Sequence, residues 1–168
     1  NCNKKIPFSS PQMNYATYGG IPRNAITEFH GAEGGGKSSS SIDVCSNAVR
    51  IFKDEFDQEV QRMRELVSSG KKEYAGPLED LIDRGPKKVF YLDLEHSFDI
   101  KWASKMNISS EDIEVMQPPD IPAEQILQTL QEIIETGEIG LVVLDSIPSL
   151  VTQAELDKKY GERTVSSL

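Results

Sequence analysis

Gly31-Ala32-Glu33-Gly34-Gly35-Gly36-Lys37-Ser38 places a glycine, four spacers and then Gly-Lys-Ser in one run. That is the spacing of a phosphate-binding loop. Small residues let successive backbone N–H groups turn toward one anion, and a helix starting there adds its positive end. Gly34, Gly35 and Gly36 supply the backbone freedom. Lys37 is expected to reach the β- and γ-phosphates, and the Ser38 hydroxyl to ligate Mg²⁺. The expected site takes in Gly31, Glu33, Gly34, Gly35, Gly36, Lys37, Ser38 and Ser39, with a nucleoside triphosphate and Mg²⁺ as its ligands. A glycine-rich turn in front of a helix, with no ligand, is the competing reading.

The flanks supply the context that such a loop needs. Ile26-Thr27-Glu28-Phe29-His30 ahead of it reads as a strand. Lys37 to about Phe56 reads as a helix, with Ile42, Cys45, Val49 and Phe52 at spacings of three and four. Residues 1–25, with Pro7, Pro11, Pro22 and Gly19-Gly20, read as an irregular lead-in. Residues 53–88 read as a charged, solvated excursion, helical over Glu55–Val67, broken at Ser68–Lys72, and helical again over Pro77–Asp83.

Beyond the excursion, Val89–Asp93 reads as a buried strand and Asp99–Met106 as a helix. Ile113–Met116 reads as a third strand, closed by Pro118-Pro119. Pro122–Thr136 reads as an amphipathic helix with Pro122 in its first turn and Ile126, Leu127, Leu130, Ile133 and Ile134 on one face. Leu141-Val142-Val143-Leu144-Asp145 is an unbroken apolar run that predicts burial on both faces, as in a parallel sheet. Alternating strands and helices give an α/β class, a mostly parallel central sheet with flanking helices. Residues 26–168 then form one ATPase-type core behind the lead-in.

Two acids and one aromatic ring stand out as chemistry. Asp145 ends a buried strand, the form of a Walker B acid that holds Mg²⁺, although capping of the next turn would use the same residue. Glu95 lies just past a strand's C-terminal end, facing the usual ligand crevice of an open α/β sheet, where a carboxylate can polarise an attacking water, although position alone favours a plain surface carboxylate. Trp102, the only tryptophan, can pack helix against sheet or lie flat on an adenine ring. His96 reads as a structural hydrogen-bonding residue.

Size and composition bound the rest. The 168 residues suffice for one domain with a core, and 38% hydrophobic with 27% charged residues is ordinary soluble composition. Cys2 and Cys45 lie far apart and make no metal-type pair, which fits a reduced cytoplasmic compartment and no zinc site. The absence of an apolar export segment or membrane-length run points the same way. A net charge of −9 argues against a broad basic surface for nucleic acid.

These pieces recur in one order: Tyr18-Gly19-Gly20-Ile21-Pro22, then Gly31 to Ser38, then Tyr91-Leu92-Asp93-Leu94-Glu95-His96-Ser97-Phe98-Asp99, then Val142-Val143-Leu144-Asp145-Ser146. With the following Leu150–Leu156, the chain resembles the RecA family of DNA recombinases over roughly residues 13 to 168. The loop and Glu162-Arg163-Thr164-Val165-Ser166 look closer to the phage UvsX-type branch. The resemblance implies Glu95 and Lys37 as catalytic residues, Asp99 and Trp102 as adenine contacts, and Ser38 and Asp145 as Mg²⁺ donors. It implies ATP hydrolysis between neighbouring subunits, a homo-oligomeric filament on single-stranded DNA, strand exchange, no membrane, and a bacterial or phage-infected host cytoplasm.

The resemblance also implies a RecA-like core truncated on its C-terminal side. The family's DNA-binding loops and a strand between the phosphate-loop strand and the Asp145 strand would lie beyond Leu168. A gap in the sheet would leave backbone groups unpaired, so self-association, a changed strand order or marginal stability is expected. A helicase-type ATPase of the same fold and a non-catalytic regulatory module remain open alternatives at this level.

Overall fold

The computed structural model describes residues 4–119 and 121–158. Three parallel strands form its central sheet in the order β4-β3-β5: β3 Lys88–Asp93, β4 Ile113–Met116 and β5 Ile139–Asp145. In the register, Tyr91 faces Val115 on one side and Val143 on the other, and Asp93 faces Asp145. Helices cover both faces. The others are α1 Pro11–Ala16, α2 Lys37–Ser68, α3 Ala75–Arg84, α4 Ile100–Lys105 and α5 Ala123–Glu135.

Side-chain alternation along β3 divides the core in two. Val89 and Tyr91 point toward α2 and pack with Ile42, Cys45, Ala48, Val49 and Phe52. Phe90 and Leu92 point the other way and pack with Ile126 and Leu130 of α5. A strand buried on both faces needs the near-continuous apolar run that β3 has. Burial pushes the Cys45 thiol up to about 12, leaving it a small core hydrophobe.

Several sequence expectations are corrected. The strand expected over residues 26–30 is not formed, and Ile26 is 99% exposed. A strand requires a ladder to satisfy its backbone groups, and no described strand runs beside this segment. For the same reason β5 is half-buried along its whole length rather than enclosed, being the outer strand of the described sheet. The excursion is also more regular than expected, because α2 continues as one helix to Ser68. The break comes at Ser69-Gly70, and α3 folds back along α2, burying Leu81 as Val60 is buried on α2.

The lead-in is likewise ordered. Its short β1 (Lys5–Ile6) and β2 (Ile21–Pro22) pair antiparallel, and Ile6 and Phe8 enter the main core. Gly20 lies so close to Ile6 that a Cβ would sit 2.0 Å from the Ile6 carbonyl oxygen, and its φ of +118° also calls for glycine. Arg23 fixes the lead-in to α2 through a two-pronged pair with Glu55 (2.5 and 3.2 Å), its guanidinium 5.4 Å from the Phe52 ring centre.

The apolar face expected for α5 is narrower in the structure. Ile126 and Leu130 are buried while Leu127 and Ile134 are more than half exposed, and Pro122 occupies the N-cap rather than the first turn. Gly140 of β5 lets α2 approach: a Cβ there would lie 2.5 Å from the Phe52 ring. No helix among the described residues is long and apolar enough to cross a membrane.

Candidate functional site

The site lies at the C-terminal ends of β3 and β5, where an open parallel sheet presents its loops, and at the N-terminus of α2. Residues 31–36 arrive as an exposed loop. Gly34 and Gly36 take positive φ, +73° and +85°, and Gly36 is the N-cap of α2. These left-handed positions turn the chain into the helix at a point where any other residue would be strained. The Lys37 ammonium donates to the carbonyls of Gly31 and Ala32, both at 2.8 Å, so its side chain closes over the loop. Glu33 is exposed, and Ser39 lies exposed in the first turn of α2.

Ser38, next in the helix, donates its hydroxyl to Asp145 Oδ2 at 2.8 Å. Tyr91 donates its phenol to the same oxygen at 2.6 Å. Burial, and then the carboxylate beside it, push the Tyr91 phenol far above its ordinary value, so it stays a donor. Beyond Asp145 the two strands remain tied, because Leu94 N–H donates to the Asp145 carbonyl at 2.7 Å. The adjacent Ser146 hydroxyl donates to Glu95 Oε1 at 2.5 Å. Ser38, Asp145, Ser146 and Glu95 are thus drawn into one patch from three separate parts of the chain.

The turn carrying Glu95 is clamped from below by Asp93. This carboxylate is fully buried, and its Oδ2 accepts from Phe98 N–H and from Gln117 Nε2, each at 2.8 Å. Burial raises its pKa, but the Phe98 amide, Gln117 and the amides of Ser97 and Glu95 together overcome that and hold it below the usual carboxylate range. Its other oxygen, Oδ1, is buried without a partner among the described residues.

Asp99 and Trp102 stand at the start of α4, just after the Glu95 turn. Asp99 caps α4, its Oδ1 accepting from the amides of Lys101 (2.8 Å) and Trp102 (3.4 Å). Trp102 packs half-buried against the α2-side core. No hydrogen bond among the described residues joins either to the loop. Tyr91, Asp93 and Gln117 were not singled out as site residues from sequence. Their signal was available only through pairing: Tyr91 meets Asp145 because β3 and β5 run side by side in this register.

The chain's relatives converge on one family. The model for the RecA N-terminal domain matches residues 65–168, which takes in Glu95 and Asp145 and starts beyond the Gly31–Ser38 loop. The chain is 29% identical over 161 residues to the protein RecA of Aquifex aeolicus, covering 95% of this chain and 36% of that protein. It is 27% identical over 161 residues to protein RecA of Thermus thermophilus, covering 95% and 37%. With protein RecA of Geobacter sulfurreducens it shares 25% over 158 residues, covering 94% and 36%. The chain therefore spans little more than a third of the length of these relatives. Residues 162–166, which with the Gly31–Ser38 loop carry the likeness to the phage branch, lie outside the described residues.

Proposed function

We propose, from the fact that this chain belongs to the RecA family, that it is the nucleotide-binding part of an ATP-dependent DNA recombinase. The observation that carries this reading is the Ser38–Asp145 contact at 2.8 Å across 107 positions of sequence. It brings a hydroxyl at a helix N-terminus, directly behind a glycine loop, against a carboxylate at a strand end. Both are hard oxygen donors of the kind Mg²⁺ takes, and the donor set fits that ion. Ser38 and Asp145 would hold Mg²⁺, which would supply charge neutralisation to the bound phosphates.

The residues of the chain divide the remaining work. Amides of Gly31–Gly36 and the α2 N-terminus receive the phosphates, and Lys37 supplies a positive charge beside them. Glu95, held through Ser146, takes the proton of an attacking water. Asp99 and Trp102 form the edge against which adenine rests, in keeping with their position just after the Glu95 turn. Partners of the intact protein are single-stranded DNA and further copies of itself in a filament, in the cytoplasm of a bacterium or a phage-infected host. A phage origin is the finest part of the reading and rests on the loop and residues 162–166 alone.

Lys37→Ala tests the core of it. Binding of a fluorescent ATP analogue should fall at least about tenfold, the loss of one charge-assisted contact. Equal binding by variant and parent would refute the loop assignment.

A further inference from the structure

We infer that Tyr91 is a positioning residue for the carboxylate that takes the cation: its phenol fixes Asp145 in the orientation from which it binds Mg²⁺. This rests on the reading of Ser38 and Asp145 as metal donors.

The placement follows from the sheet. Tyr91 pairs with Val143, and Asp145 is two residues further along β5, so Tyr91, Val143 and Asp145 share the face toward α2. A tyrosine at that diagonal has the reach to cross to the carboxylate, and its hydroxyl does so at 2.6 Å. The ring is held. It is 1% exposed, and it packs on Phe98 with ring centres 4.8 Å apart and planes at 55°. Phe98 is in turn fixed through its amide by Asp93. The donor that meets Asp145 is therefore braced by the same turn that carries Glu95.

Tyr91 and Ser38 share one carboxylate oxygen but differ in what they can do next. Ser38 has lone pairs to offer a cation and sits behind the glycine loop. Tyr91 is enclosed, with its hydroxyl committed to Asp145. A buried donor to a metal-ligating carboxylate acts from outside the ligand shell, and such partners typically matter about 10–100-fold in metal affinity. If Tyr91 served packing alone, deleting the hydroxyl while keeping the ring would leave cation dependence untouched.

Tyr91→Phe makes that deletion. In the intact protein, binding of a fluorescent ATP analogue is titrated with Mg²⁺ and measured separately in EDTA. The Mg²⁺ midpoint should rise about tenfold in the variant, with binding in EDTA unchanged. Phe98→Leu, which loosens the ring and keeps the hydroxyl, should raise the midpoint in the same direction. An unchanged midpoint in Tyr91→Phe overturns the inference. Should that variant not fold, an unchanged midpoint in Phe98→Leu overturns it. Mg²⁺-independent binding by the parent overturns the metal reading and this inference together, whereas a Mg²⁺-dependent parent with an unaffected variant overturns this inference alone.

Discussion

Ser38 and Asp145 are joined by a 2.8 Å hydrogen bond that bridges the first turn of α2 and the last residue of β5. A cation held there would be contacted from both sides of the crevice. Asp145→Asn keeps the shape and removes the charge. Ser38→Ala removes the hydroxyl. Each should raise the Mg²⁺ concentration for half-maximal ATP-analogue binding by about tenfold or more. A midpoint that stays put in both variants would take the pair out of the site.

Glu95 is coupled to the strand end by Ser146. In the intact protein, Glu95→Gln should spare nucleotide binding and lower hydrolysis by about 10²–10⁴-fold, the usual contribution of a general base. Ser146→Ala should lower kcat in the same direction but less, with KM little changed, because it frees the carboxylate without removing it. Steady-state ATP turnover checks both, and undiminished turnover in Glu95→Gln refutes the base role.

The close approach of α2 to β5 is a packing claim with its own test. Gly140→Ala inserts a Cβ 2.5 Å from the Phe52 ring and should destabilise by about 1–3 kcal/mol. Phe52→Leu should also destabilise alone, by loss of core volume. The double variant should be more stable than the sum of the two, and a denaturant cycle measures the difference. Strict additivity would mean the two residues do not touch.

Asp93 sets an acid limit. Its folded pKa is depressed, so the stability it contributes is fully present above the unfolded aspartate value of about 3.9 and is lost as pH falls through the lower folded value. The parent should therefore lose stability below about pH 4 more steeply than Asp93→Asn, which has no proton to gain. At pH 7 Asp93→Ala should cost about 2–4 kcal/mol, because it strands the Phe98 amide and the Gln117 side chain. Urea denaturation from pH 7 to pH 2.5 reads both, and parallel pH profiles for parent and Asp93→Asn would exclude the clamp.

Local signals carried most of the fold. Ile113–Met116 emerges with the bounds its composition predicts, and α4 forms within the helix expected over Asp99–Met106. Non-local facts were not legible. Residues 26–30 have strand composition but no neighbouring ladder among the described residues, and Leu141–Asp145 has the composition of an enclosed strand but lies at the edge of the described sheet. Polar composition also concealed that the two helical stretches read over 37–56 and 55–67 are one helix, because most of its outer half faces water and only Val60 there is buried. At the site, motif spacing singled out Ser38, Glu95 and Asp145, whereas Tyr91, Asp93 and Gln117 act through the register of β3 with its neighbours.

The unbroken run of α2 from Lys37 to Ser68 makes it a lever arm. Its 32 residues extend about 48 Å, with one end at the glycine loop and the other at the turn into α3. A tilt of one degree about Gly36 displaces the far end by about 0.8 Å. An adjustment of the glycine loop that tilted α2 would thereby be mechanically amplified at the charged hairpin that α2 forms with α3.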